Sequence, residues 1–152
     1  MEMSTVVRLA APEDVDAIDK MNRQAGDVFG FVPKVVLASS LVTHELMVAC
    51  NGTSVDGAMR FHHRLDKVTT LYEVVVREER RGNSIGRLLL STLIKRATDK
   101  GHHTLRAKCP NGIAANDFYK ALGWECVGLE QGRVRPLLVW SCSLATNQLP
   151  LW

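Results

Sequence analysis

Apolar residues recur along this chain at two spacings, every second position and every third or fourth. The places where one spacing gives way to the other mark the predicted elements. Alternation predicts a first strand over residues 5–9. Pro12 then opens a helix with Glu13 and Asp14 in its first turn and Val15, Ile18 and Met21 on one face, and Gly26 is its expected stop. Residues 27–33 read as an aromatic-rich connector and residues 34–41 as a short second helix. Strands follow at 46–50, 57–63 and 68–76, joined by Asn51-Gly52 and by a polar turn at 64–67. Such short connections predict an antiparallel meander.

The clearest helical period covers residues 85–100, where Arg87, Ser91, Lys95 and Asp99 form a polar ridge. Ile85, Leu89, Leu93 and Ala97 form its apolar stripe, and Gly101 terminates it. Residues 104–109 make the next strand, parallel to 71–76 if the helix is a crossover. Ala115, Phe118, Tyr119 and Leu122 mark a short helix ended by Gly123, and strands at 124–129 and 136–144 close the pattern as an antiparallel pair. Residues 1–144 are expected to form one domain, with 145–152 as a tail. The apolar run Leu137-Leu-Val-Trp140 either completes the sheet or pairs across a homodimer.

Between the strand at 68–76 and the long helix lies Arg80-Arg-Gly-Asn-Ser-Ile-Gly-Arg87. A glycine-bearing turn lets backbone N–H groups converge there, the helix start adds its positive dipole end, and Arg81 and Arg87 add fixed charge. This is a cradle for a pyrophosphate. It has neither the Gly-x-x-x-x-Gly-Lys-Ser/Thr run of a P-loop nor the three-glycine dinucleotide fingerprint.

Charge narrows the partners. The net charge of +3 comes from 19 basic and 16 acidic residues, too balanced to make nucleic acid an expected partner. Cys50, Cys109, Cys126 and Cys142 are widely spaced beside apolar runs, the pattern of small buried hydrophobes in a reducing compartment. No signal-peptide layout and no membrane-length apolar run is present, so a cytoplasmic protein away from membranes is expected. His62 and His63 are neighbours on a strand and point to opposite faces, so they cannot chelate one ion together. His102 and His103 follow the helix-ending glycine and are expected to be exposed. No metal is expected.

Strand, arginine- and glycine-bearing turn, helix, strand, then Phe118-Tyr-Lys-Ala-Leu-Gly-Trp124 resembles the GCN5-related N-acetyltransferase family. Glu73 to Leu89 is similar to its acetyl-CoA motif, written Gln/Arg-x-x-Gly-x-Gly/Ala. Ala115 to Trp124 resembles its later helix-and-strand motif, and Val55-Asp-Gly57 its glycine-ended hairpin. The resemblance covers about residues 5–144. It implies a mixed α/β sheet of about seven strands, splayed at its centre, with about four helices, and acetyl-CoA as co-substrate. It also implies that backbone groups of Val74 and Val76 pair with the pantetheine arm. Amides from Gly82 through Asn83, Ser84 and Ile85 to Gly86 would hold the pyrophosphate, with Arg81 or Arg87 neutralising it and Asn116 facing the cofactor. Read from Arg81, the motif has glycine where this chain has Ser84, which can still donate its N–H but enters positive φ less cheaply.

Acetyl transfer to an amine needs a neutral amine, a polarised thioester carbonyl and a proton for the departing thiolate. The resemblance puts Tyr119 in the last role, although its place on an apolar stripe also fits a core tyrosine. Glu73 interrupts an apolar strand, which fits either a general base working through a water or a partner for Arg60 on the neighbouring strand. Phe29 and Phe31 fall in the segment that forms a wall of the acceptor site in relatives. Asp27 beside them could attract a cationic amine, and a loop plugging its own apolar cluster fits equally well. His62 is a further candidate lining residue. The expected function is acetylation of a primary amine, on a small molecule or a protein, by direct transfer in a ternary complex. One alternative is a toxin that acetylates charged tRNA along a basic strip of Arg77, Arg80, Arg81, Lys108 and Lys120. Another is a silent coenzyme A-binding module.

Overall fold

The fold is described from a computed structural model, for residues 4–25, 32–82 and 84–144. Its strands form a seven-stranded sheet in the order β1-β2-β3-β4-β5-β7-β6. They are β1 (Thr5–Leu9), β2 (Leu46–Asn51), β3 (Ser54–His63), β4 (Val68–Val76), β5 (Thr104–Pro110), β6 (Glu125–Glu130) and β7 (Leu137–Ser143). The helices are α1 (Val15–Ala25), α2 (Lys34–Val42), α3 (Ile85–Asp99) and α4 (Ala115–Ala121). The predicted mixed α/β fold and its element order are therefore present. No helix among the described residues is long and apolar enough to cross a membrane. Gly26, the connector at 27–31, Asn83 and the tail at 145–152 lie outside the described residues.

Two compact units are distinguished, one drawn from Met1–Phe61 and Glu73–Leu93, the other from His62–Tyr72 and Ile94–Trp152. In the first, β1, β2 and β3 form an antiparallel meander. One face carries a cluster of Ile18 and Met21 from α1, Leu37 from α2, and Leu46, Val48, Ala58 and Val75 from the strands. Asp14 ties the start of α1 to β1, accepting from Arg8 Nη1 and from the Ala11 N–H, both at 2.7 Å. Strand β3 begins earlier than its alternation suggested, because Gly52 takes φ 63° and makes the turn after Asn51 tight enough to bring Val55 and Asp56 into the ladder.

Arg77 N–H donates to the Asp56 carbonyl at 2.8 Å, and Arg64 N–H to the Val68 carbonyl at 2.9 Å. Arg60 on β3 and Glu73 on β4 reach each other across these strands.

In the second unit β4 runs parallel to β5 from the Val68–Thr104 pair to the Leu71–Ala107 pair, and both strands continue past it. Strand β7 lies between β5 and β6. Leu137 to Trp140 therefore completes the sheet, and the alternative of pairing across a dimer is overturned because both sides of that strand are already occupied. Cys50 and Cys109 are buried as expected, while Cys126 is exposed on edge strand β6 and Cys142 is half-buried.

His102 corrects a second expectation. It is 9% exposed, because after Gly101 (φ 81°) the chain turns back and His102 N–H bonds to the Ala97 carbonyl. Its Nδ1 lies 3.1 Å from the Thr69 hydroxyl, which lies 2.8 Å from His63 Nδ1. The single hydroxyl proton serves one ring while the oxygen accepts from the other. Burial, then the charge of Lys67, holds the His102 pKa below its ordinary 6.5. The unfolded chain therefore takes up a proton near pH 6.5 that the folded chain refuses, so this contribution to stability is whole above that pH and declines below it. Thermal unfolding between pH 7.5 and 5.5 should show a falling midpoint in the wild type and a flatter profile in His102→Gln. The difference in slope should not exceed about 1.4 kcal/mol per pH unit.

Candidate active site

The turn before α3 is held from below by a buried acid. Asp56 is 1% exposed, and its oxygens lie 2.8 Å from Arg77 Nη2 and 3.2 Å from Arg80 Nε. Ser54 Oγ donates to it at 2.9 Å. These contacts draw the 3-10 turn Glu78–Arg80 against β3, and Arg81 Nε follows by donating to the Val76 carbonyl at 3.2 Å. Beside the acid, Gly57 lets α3 approach closely: a Cβ there would sit 2.9 Å from Ile85 Cγ2 and 3.2 Å from the Val75 carbonyl. Asp56 was not among the residues expected in the site, because the arginines that match it stand more than twenty positions later in the chain.

The chain then takes φ 83° at Gly82 and φ 62° at Ser84. Ser84 thus adopts the left-handed conformation that the motif's glycine would supply. The first bond of α3 runs from Leu88 N–H to the Ser84 carbonyl at 3.0 Å, which leaves the N–H groups of Ile85, Gly86 and Arg87 without an acceptor inside the helix. Three amides at a helix start, with exposed Arg87 among them, suit an anion. Val74 and Val76 lie on β4 in the same unit as the turn.

Glu73 lies in the same unit. Arg60 Nε and Nη2 each donate to one of its oxygens at 2.7 Å, and both side chains are less than one fifth exposed. The ion-pair reading of Glu73 is the arrangement found. The basic strip is also partly neutralised within each unit, Arg77 and Arg80 by Asp56 and Lys108 by Glu130 at 2.7 Å.

In the second unit Tyr119 is buried on α4 among three aromatic rings, with centroids 5.5 Å from Phe118, 5.1 Å from Trp124 and 6.2 Å from Trp140. Burial, then the nearby Cys109 thiol, pushes its pKa well above the usual phenol value, so it keeps its proton. Burial likewise pushes the Cys109 thiol up to about 11. Asn116, expected to face the cofactor, uses its amide within the fold. Nδ2 donates to the carbonyls of Pro110 at 2.8 Å and Ile113 at 3.1 Å, and Oδ1 accepts from Trp140 Nε1 at 2.9 Å. His62 is exposed on β3, and Asp27, Phe29, Phe31 and Asn83 lie outside the described residues. No cluster of metal-binding side chains occurs among the described residues.

The sheet is mixed and seven-stranded, a crossover helix opens on the amide-rich turn, and a buried tyrosine lies on the following helix. The sequence pattern of the acetyltransferase (GNAT) family matches residues 27–124, and the chain belongs to that family. Its fold is similar to the ribosomal-protein-S18-alanine N-acetyltransferase of Escherichia coli (TM-score 0.79, 15% identity, covering 98% of this chain and 99% of that one). It is also similar to a Salmonella typhimurium protein solved with its cofactor acetyl-CoA (0.75, 22% identity, 97% and 98%). A third similar structure is the ribosomal-protein-alanine N-acetyltransferase of Brucella melitensis (0.75, 24% identity, 91% and 99%). No protein with a curated description matches the sequence significantly.

A left-handed residue without glycine's freedom carries a cost, and at Ser84 that cost can be read by substitution. Ser84→Gly should keep or raise the urea midpoint. Ser84→Val, β-branched at the same φ, should lower stability by about 1–2 kcal/mol.

Proposed function

We propose that this chain is an acetyl-CoA-dependent N-acetyltransferase whose acceptor is a primary amine, on a small molecule or on a protein or peptide. The observation that carries the reading is the turn at 81–87, where the N–H groups of Ile85, Gly86 and Arg87 open onto a positive helix end. Those amides, with Gly82, Asn83 and Ser84, hold the pyrophosphate, and Arg81 and Arg87 balance its charge. The backbone of Val74 and Val76 pairs with the pantetheine arm. Asn116 serves the cofactor side through the loop it holds.

The neutral amine nitrogen attacks the thioester carbonyl carbon, the C–S bond breaks, and the electron pair leaves on sulfur. Tyr119 protonates that thiolate, and its raised pKa keeps it charged with a proton until then. The proton lost by the amine passes through water to Glu73, whose oxygens retain a second lone pair beside the Arg60 bonds. Transfer is direct: a thiol at about 11 supplies almost no thiolate, so Cys109 is a poor nucleophile. Asp27, Phe29, Phe31 and His62 border the acceptor. Two similar structures bear the names of ribosomal-protein-alanine acetyltransferases, which supports including protein amines among the acceptors.

Calorimetry with coenzyme A and a free-thiol assay across amines and peptides test the reading. Binding below millimolar, with coenzyme A released only when an acceptor is present, is the expected result. No association at millimolar concentration would end it. Tyr119→Phe should cut kcat by about 10²- to 10³-fold while leaving coenzyme A affinity within about threefold.

A further inference from the structure

Two indoles flank Tyr119, and the fold treats them differently. Trp140 Nε1 donates to Asn116 Oδ1 at 2.9 Å. Trp124 is 5% exposed, and its Nε1 finds no acceptor among the described residues. Buried donors are nearly always satisfied, so one left over needs an explanation. The position is not loosely held. Gly123 takes φ 83°, Trp124 N–H bonds to the Tyr119 carbonyl at 3.1 Å, and the Trp124 ring lies tilted by 43° on the Tyr119 ring. Phenylalanine would give the same apolar packing without a stranded N–H.

We propose that Trp124 Nε1–H is a donor held for a carbonyl oxygen of the acyl-pantetheine arm of acetyl-CoA, an inference that rests on the function proposed above. An indole N–H donates and cannot accept, so an ammonium or any other cation cannot satisfy it, and the lone pair of the neutral acceptor amine is committed to the thioester carbon. The arm brings acceptors: amide carbonyls present in coenzyme A itself and a thioester carbonyl present only in the acetylated form. Trp124 packs on Tyr119, the residue assigned to the sulfur, so the oxygens it meets are those nearest the reacting end. The free protein then carries an unmade hydrogen bond that the cofactor completes.

Trp124→Phe keeps the ring and removes only the donor. Its thermal midpoint without ligand should equal or exceed the wild type's, because no native bond is lost. Its affinity by calorimetry should fall about tenfold. A fall for coenzyme A and acetyl-CoA alike assigns an amide carbonyl, and a fall for acetyl-CoA alone assigns the thioester oxygen. Unchanged affinity for both ligands would overturn the proposal, as would a lowered midpoint with unchanged affinity, the mark of a bound water serving the fold. If the variant does not fold, the wild type decides. One indole N–H resonance outside those lost in Trp140→Phe and Trp152→Phe should move downfield on titration with acetyl-CoA, and an unmoved resonance overturns the proposal. A wild type that binds no coenzyme A sinks the function itself, whereas a wild type and variant that bind alike sink only the role of Trp124.

Discussion

A carboxylate that is 1% exposed must be matched by charge, and Asp56 draws its match from the loop that follows β4. Left alone in that setting the acid would be costly to ionise. With Arg77 and Arg80 on its oxygens and Ser54 donating beside them, it becomes the point from which the next residues are hung. The arginines keep a third or more of their side-chain surface in water, so screening weakens their mutual Coulomb term. The constraint comes from the buried acid, which cannot lose its partners without being stranded. Next to it Gly57 sets the height at which Ile85 and Leu89 pass over β3. The amides at the start of α3 are thus aimed by residues on β3, about thirty positions earlier in the chain.

Tyr119 is positioned by a different means. No charge is involved. Asn116 joins the loop after β5 to Trp140 on β7 through three hydrogen bonds, and the indole so fixed stacks on the tyrosine one helical turn along α4. A phenol in such surroundings is rigid and protonated, the two properties a proton donor needs. Asn116 therefore acts on Tyr119 through packing, and a loss of that amide would be felt as a displaced ring.

Periodicity made most of the fold readable. The stripe of Ile85, Leu89, Leu93 and Ala97 is buried as its spacing requires, and the glycines at 101 and 123 end their helices with positive φ. Boundaries were less readable, as at β3, where a tight turn rather than an apolar pattern decides the first residue. Long-range pairing was hidden altogether. Nothing local says that His102, after a helix-ending glycine, folds back onto Thr69, or that β7 enters the sheet between β5 and β6. In the site, the turn at 80–87 was legible because its chemistry is local in sequence. Asp56 was not, since its meaning depends on arginines more than twenty positions away.

Three departures from local rules fall on or beside residues assigned to chemistry. Ser84 holds a φ of 62° that few side chains accept, at the mouth of the helix that presents its amides. Glu73 interrupts an apolar strand and is met there by Arg60. Both are compensated by a visible neighbour or a visible bond: Ser84 by the carbonyl that Leu88 engages, Glu73 by a bidentate guanidinium. Trp124 Nε1 has no such partner among the described residues. A chain that satisfies the other indole on Tyr119 with a dedicated asparagine has the means to satisfy this one. Local consistency is what makes a sequence fold, so an exception left standing beside the proposed acid is better explained by what binds there than by the fold.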